Sequence, residues 1–215
     1  MLGGSAASAA AYESGARKLT AAKELTPLEA SVLAQDSGCM HGMLACYSKA
    51  LAEIKAGRKD SHWIWYIWPA HTGVRPSSSQ PQFSLTHASQ ALEWLHHPIL
   101  GPRYLEVTSA AVEHLEKGVA AGVLFGSGVD VTKFHECVTM FAVAAETAGR
   151  QAAECGGSGG KSSAKETLEA QEAMAVLCRR ALAALKMGEH PNAAKVARAE
   201  LAQGRCDPAL VIAGQ

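Results

Sequence analysis

Apolar residues recur along the chain with a helical period in several places. Met40, Leu44, Tyr47, Leu51 and Ile54 are spaced by three and four, which sets them on one helix face, and Gly57 supplies a stop. Val131, Phe134, Val138 and Phe141 form the strongest such stripe, with Asp130 expected as its cap. Met174, Leu177, Ala181 and Leu185 define another, on a helix from about Lys165 to Met187. Weaker patterns predict a helix at Pro27 capped by Thr26 and ending near Gly38. A helix capped by Thr86 would end at Pro98, and one from Leu100 to Lys117 would turn Leu105, Val112 and Leu115 inward. A last helix runs from Pro191 to Gln203. The run Trp63-Ile64-Trp65-Tyr66-Ile67-Trp68 is apolar at every position, so period alone does not separate helix from strand. No partner strand is in prospect nearby, and a short buried helix is the reading adopted.

These elements predict an all-α fold: a single helical domain of about six to eight helices over 27–215, with a flexible tail at 1–26. A Gly/Ser-rich insertion at 154–165 reads as a linker, and Gly73, Pro76, three Ser and Pro81 mark a loop at 70–83. A core drawn mainly from Ala, Leu and Val suits closely packed helices.

Charge narrows the function. Lys plus Arg equals Asp plus Glu, 20 of each, whereas nucleic-acid binders carry a basic excess; no nucleic acid is expected. Nor is a membrane, since no apolar run approaches the ~18 residues of a span. The six Cys lack any Cys-x-x-Cys pair and read as reduced thiols in a cytoplasmic protein. Alternatively, the Ala- and Ser-rich start with Arg17, Lys18 and Lys23 would serve as an organellar transit segment, although Glu13 and Glu24 oppose that.

Several motif fragments fail on inspection. Gly156 to Ser162 resembles a phosphate loop, but Cys155 stands where the first Gly belongs and a helix, not a strand, precedes it. His135-Glu136 opens like a zinc-protease helix, but Thr139 occupies the place of the second His. Cys39, His41 and Cys46 match no tetrahedral spacing, so no metal site is expected. His96-His97 is expected at a helix C-terminus, where imidazolium suits the dipole.

One cluster holds more chemistry. Lys59, Ser61 and His62 set a cation, a hydroxyl and an imidazole beside Trp63 and Trp65. Rings that stack and polar tips that bond would hold an anionic or nucleotide-like ligand. The plainer alternative has Ser61 capping, His62 bonding to backbone and the indoles filling the core.

The segment Ala56-Gly57-Arg58-Lys59-Asp60-Ser61-His62-Trp63-Ile64-Trp65-Tyr66-Ile67-Trp68-Pro69 closely resembles the signature of the largely bacterial family of unknown function DUF1810, some members of which are labelled calpastatin. Ala91 to Arg103 resembles its second motif, with Leu95, Pro98, Leu100, Gly101 and Arg103 in place. Leu124-Phe125-Gly126 with Asp130, Lys133-Phe134 and Thr139-Met140-Phe141 resembles a third, and Gly204, Asp207 and Leu210 a weaker fourth. The chain departs from the pattern at Ala70, at Cys137-Val138 and in the loop with Gly73-Val74-Arg75-Pro76. The resemblance implies a small all-helical domain and supplies no reaction.

Two functions remain. In one, the domain binds or processes a phosphorylated or nucleotide-derived, ADP-ribose-like molecule. Lys59, Arg103 and Lys133 would neutralise its charge, with Ser61, His62, Trp65 and Asp130 completing the site and His62 or Asp130 serving as acid or base. The motifs are faintly similar to a helical domain implicated in ADP-ribose metabolism, though no catalytic Glu aligns. In the other, the chain is a non-catalytic subunit that meets a protein partner through the 168–185 helix. The first requires Lys59, Ser61, His62, Arg103, Asp130 and Lys133 to converge; the second requires an exposed apolar stripe from Leu168 to Leu185. The cofactor is unknown in either.

Overall fold

The computed structural model describes residues 25–37, 45–154 and 161–203. Among these it contains nine α-helices and one 3-10 turn, and no strand beyond a single parallel bridge between His71 and Leu85. The expected all-α class is correct. The ninth helix, beyond the eight that the sequence predicts, is the single turn Ala121–Leu124, too short to show a period.

Helix α1 (Pro27–Ser37) starts as the sequence requires. Thr26 Oγ1 accepts the Glu29 N–H and Glu29 Oε2 accepts the Thr26 N–H, a reciprocal capping box with Pro27 inside it. Helix α2 (Tyr47–Lys55) ends at Gly57, whose φ of 81° lets its N–H and that of Arg58 reach back to the Ile54 and Glu53 carbonyls. Met40 and Leu44, expected on the same helix face, lie outside the described residues.

The aromatic run forms α3 (Ile64–Ile67), one turn flanked by Trp63 and Trp68, both fully buried. Trp68 meets Phe134 and Phe125 edge-on, at 4.7 and 5.5 Å between centroids, and donates Nε1–H to Thr108 Oγ1. Beyond Pro69 the chain reaches the His71 bridge, and a 3-10 turn follows at Pro81–Phe83.

Helix α4 (Gln90–His96) begins later than expected. Thr86 does not cap it; the Gln90 side chain reaches back instead, its Oε1 accepting from the N–H of Thr86 and of His87. Helix α5 (Leu100–Glu116) follows at once, and His97 caps it: Nδ1 accepts the N–H groups of Ile99 and Leu100. The pair His96-His97 does sit at a helix C-terminus as expected, with His97 the C-cap of α4, and the His97 ring serves the start of α5 as well. His96 does end α4, but burial lowers its pKa and favours the neutral ring.

The single turn α6 (Ala121–Leu124) leads into α7 (Gly128–Glu154), the central helix. Phe134, Val138 and Phe141 are buried as the stripe required; Val131 is half-buried. Fully burying each such side chain contributes roughly 1.5–3 kcal/mol. Helix α8 (Lys161–Ala184) lies along α7 and against α5, and α9 (Pro191–Gln203) closes on α7. Residues 155–160 of the expected linker and the tail up to residue 24 lie outside the described residues, while residue 154 and residues 161–165, also expected in the linker, are helical. Met174, Leu177 and Ala181 of α8 are buried, with Leu185 half-buried just beyond its end. The stripe that a partner would need is thus turned into the domain's own core. No described helix is long and apolar enough to cross a membrane.

Candidate functional site

The site begins with a turn. Gly57 ends α2, and the following segment runs beside the α6–α7 turn, where the Lys59 N–H bonds to the Leu124 carbonyl at 2.8 Å. Gly126, at φ 76°, faces the Lys59 carbonyl, which a Cβ there would meet at 3.1 Å. This close backbone approach carries the Lys59 side chain to the start of α7.

Ser127 is the N-cap of α7: its Oγ accepts the Asp130 N–H and its carbonyl accepts the Val131 N–H. Asp130, expected to be the cap, stands in the first turn instead. Each of its carboxylate oxygens meets an ammonium, Lys59 Nζ at 2.7 Å on Oδ2 and Lys133 Nζ at 3.1 Å on Oδ1. The three side chains are only 9%, 10% and 12% exposed for Lys59, Lys133 and Asp130, so these contacts are shielded from water and salt. The indoles line the same place. Lys59 Nζ lies 5.4 Å from the Trp63 ring centroid and Lys133 Nζ 4.5 Å from that of Trp65. Trp65 is half-buried, and its Nε1 is enclosed without a hydrogen-bond partner. His62 is exposed at the edge, its ring 6.5 Å from Trp65.

Beneath this lies Glu53 of α2, a residue that sequence reasoning passed over. It is buried, and its carboxylate accepts four hydrogen bonds: from the backbone of Asp60 and Ser61, from Ser61 Oγ and from Trp63 Nε1. Burial alone would raise its pKa, but these bonds outweigh it and pull the carboxyl down to about 2. Glu53 thereby fixes the segment from Lys59 to Trp63. Ser61 is committed to Glu53 rather than to a helix cap.

The expected set therefore divides. Lys59, Asp130, Lys133 and Trp65 come together, His62 stands at their edge and Ser61 anchors the floor. Arg103 does not join them. It pairs with Asp36 at 2.8 Å and stacks on Tyr47 at 5.0 Å, tying α5 to α1 and α2.

A second polar group lies between the 70–83 loop, α7 and α9. Arg75 forms a two-pronged pair with buried Glu136, at 3.0 and 2.9 Å, and His71 Nε2 approaches Glu200 at 3.3 Å. His135 bonds through Nε2 to the Gly188 carbonyl, and Thr139 Oγ1 accepts the His190 N–H. The fragment His135-Glu136 is thus used in packing. Among the described residues no cluster of three or more His, Cys, Asp or Glu is placed to hold a metal ion. Cys46, Cys137 and Cys178 are free thiols; Cys39, Cys155 and Cys206 lie outside the described residues.

Residues 28–155 match the family model described as protein of unknown function (DUF1810). The chain belongs to the DUF1810 family. The match spans both aromatic motifs and all of Lys59, Asp130 and Lys133, so the whole candidate site lies within the DUF1810 region. The family description carries no calpastatin label. The chain is also similar to the crystal structure of a conserved hypothetical protein from Mycobacterium tuberculosis. That protein is 25% identical with a TM-score of 0.45, over 75% of this chain and 97% of the other. No curated protein matches the chain.

Proposed function

We propose that this DUF1810 domain binds a small anionic molecule at Lys59 and Lys133, with Trp65 and His62 at the edge of the site. One observation carries the reading: two nearly buried ammonium groups from distant parts of the chain share a single carboxylate. Burying a charge without its own counter-charge is costly, and a fold with no use for the second lysine would be more stable with an apolar side chain there. A bound anion supplies the missing charge.

Phosphorylated and nucleotide-derived compounds fit this chemistry. The anion would meet the two ammoniums, and a flat ring would stack on the half-buried Trp65. Asp130 acts as the counter-ion that positions both lysines. The assembly alternative is less well supported, because the α8 stripe it needs is spent on α7 and α5.

The test is a thermal-shift screen of the full chain against nucleotides and phospho-metabolites, ADP-ribose among them, beside Lys133→Met and His62→Ala. A compound at a hundred times its Kd adds about 2.7 kcal/mol of stability. A shift lost in Lys133→Met and weakened in His62→Ala is expected. A panel with no shift on folded protein would count against the reading.

A further inference from the structure

The charge balance around Asp130 carries the reading of an anion site one step further and rests on it. Lys59 and Lys133 bring two positive charges, and Asp130 returns one. The neighbouring charges are already engaged. Glu136, one turn along α7 from Lys133, is held two-pronged by Arg75. Asp60 pairs with Arg58 at the surface. Glu53 keeps its full charge, held by four neutral donors, but the Trp63 indole stands between it and Lys59. Among the described residues, the contacting group of Lys59, Asp130 and Lys133 therefore holds one negative charge against two positive.

Geometry adds a second constraint. Asp130 spans the two ammoniums with one oxygen on each. An incoming group able to bridge the same pair needs two equivalent oxygens on one centre, as Asp130 itself has. A second negative charge on that group would have no cation left to meet and would face the Asp130 carboxylate across a poorly solvated space.

We infer that the site selects a singly charged oxyanion with two free oxygens, a phosphodiester or carboxylate, over a doubly charged phosphate monoester. In a nucleotide-derived ligand this places a bridging phosphate, or a carboxylate, at the lysines and turns a terminal phosphate away.

The experiment titrates three simple probes into the full chain at about pH 8: dimethyl phosphate and acetate, each singly charged, and methyl phosphate, doubly charged there because its second ionisation lies near 6. Binding is read from the side-chain methylene NMR signals of Lys59 and Lys133, assigned through Lys59→Gln and Lys133→Gln. At least one singly charged probe is expected to move both signals and bind about tenfold more tightly than methyl phosphate. Which of the two binds better separates a phosphodiester from a carboxylate. In Asp130→Asn the deficit becomes two charges and the order should invert. If that variant does not fold, Lys133→Gln, which removes the deficit, should lose the preference along with most of the binding. Tighter binding of methyl phosphate at the same two lysines would overturn the charge class and leave the anion site standing. No movement of either signal by any probe would overturn both.

Discussion

The Trp63 indole donates its Nε1–H to Glu53 Oε2 at 2.7 Å, so the side chain that anchors the aromatic run is an ionised carboxylate on α2. Replacing Glu53 by Ala strands the Trp63 N–H, the Ser61 hydroxyl and two backbone N–H groups together. An unsatisfied buried donor costs about 1–3 kcal/mol, and with part of the set rehydrated the loss should be about 3 kcal/mol in a urea titration. A wild-type midpoint in Glu53→Ala would refute this role.

The same carboxylate sets an acid limb. Its pKa is near 4.5 when unfolded and about 2 when folded. The stabilisation is therefore complete above about 4.5 and is lost as pH falls from there through about 2. Between those limits the stability of Glu53→Gln should fall less steeply than that of the wild type. Parallel curves would show that Glu53 does not carry the limb.

His71, His96 and His190 are all lowered from 6.5, in each case chiefly by burial. At His71 the Glu200 carboxylate works the other way, as Glu136 does at His190, without reversing the direction. The unfolded chain thus takes up protons near pH 6.5 that the folded chain refuses, and stability should decline as pH falls below about 6.5. Melting temperatures followed from about pH 8 to pH 5 test this, and His96→Gln should flatten the decline. A protein that gains stability on acidification through that range would contradict the assignment.

Gly101 sits where α5 meets the end of α4, and a Cβ there would lie 2.0 Å from the Leu95 carbonyl oxygen. Backbone cannot yield as a side-chain tip can, so Gly101→Ala should lose about 3 kcal/mol. Gly122, in α6, faces open space. Gly122→Ala should gain up to about 1 kcal/mol from helix propensity. Equal effects at the two glycines would show that the Leu95 contact is not limiting.

Much of this fold could be read from the chain, and the misses have local causes. The stripe through Phe134, Val138 and Phe141 and the box of Thr26 with Glu29 were visible because period and capping are short-range signals. Ala121–Leu124, a single turn, has no period to read, whereas Ile64–Ile67, equally short, is legible as a buried helix because no partner strand stands nearby. Asp130 and Ser127 are both good caps for the start of α7, and only the tertiary pull of two lysines decides between them. Glu53 was missed because a helical Glu ordinarily reads as a solvated position; its place beside buried Ile54, three residues after buried Ala50, was the available sign. Arg103 and Lys59 look alike in sequence as cations within motifs. Their separation depends on the close approach of Lys59 to Gly126, which joins distant segments.

Asp130 and Lys133 should respond oppositely to loss of charge. Asp130→Asn leaves two enclosed ammoniums without a carboxylate and should cost about 3–5 kcal/mol. Lys133→Met leaves a balanced pair between Lys59 and Asp130 and should be neutral or slightly stabilising. Comparable destabilisation in both would mark a purely structural network.

The most direct test of the anion site compares Lys133→Met with Lys195→Met, an exposed lysine on α9, in the presence of the compound that most stabilises the wild type. The expected result is that Lys133→Met stays as stable as the wild type alone yet gains nothing from the compound, while Lys195→Met keeps the full shift. A shift that survives in Lys133→Met would place the ligand elsewhere and contradict the site.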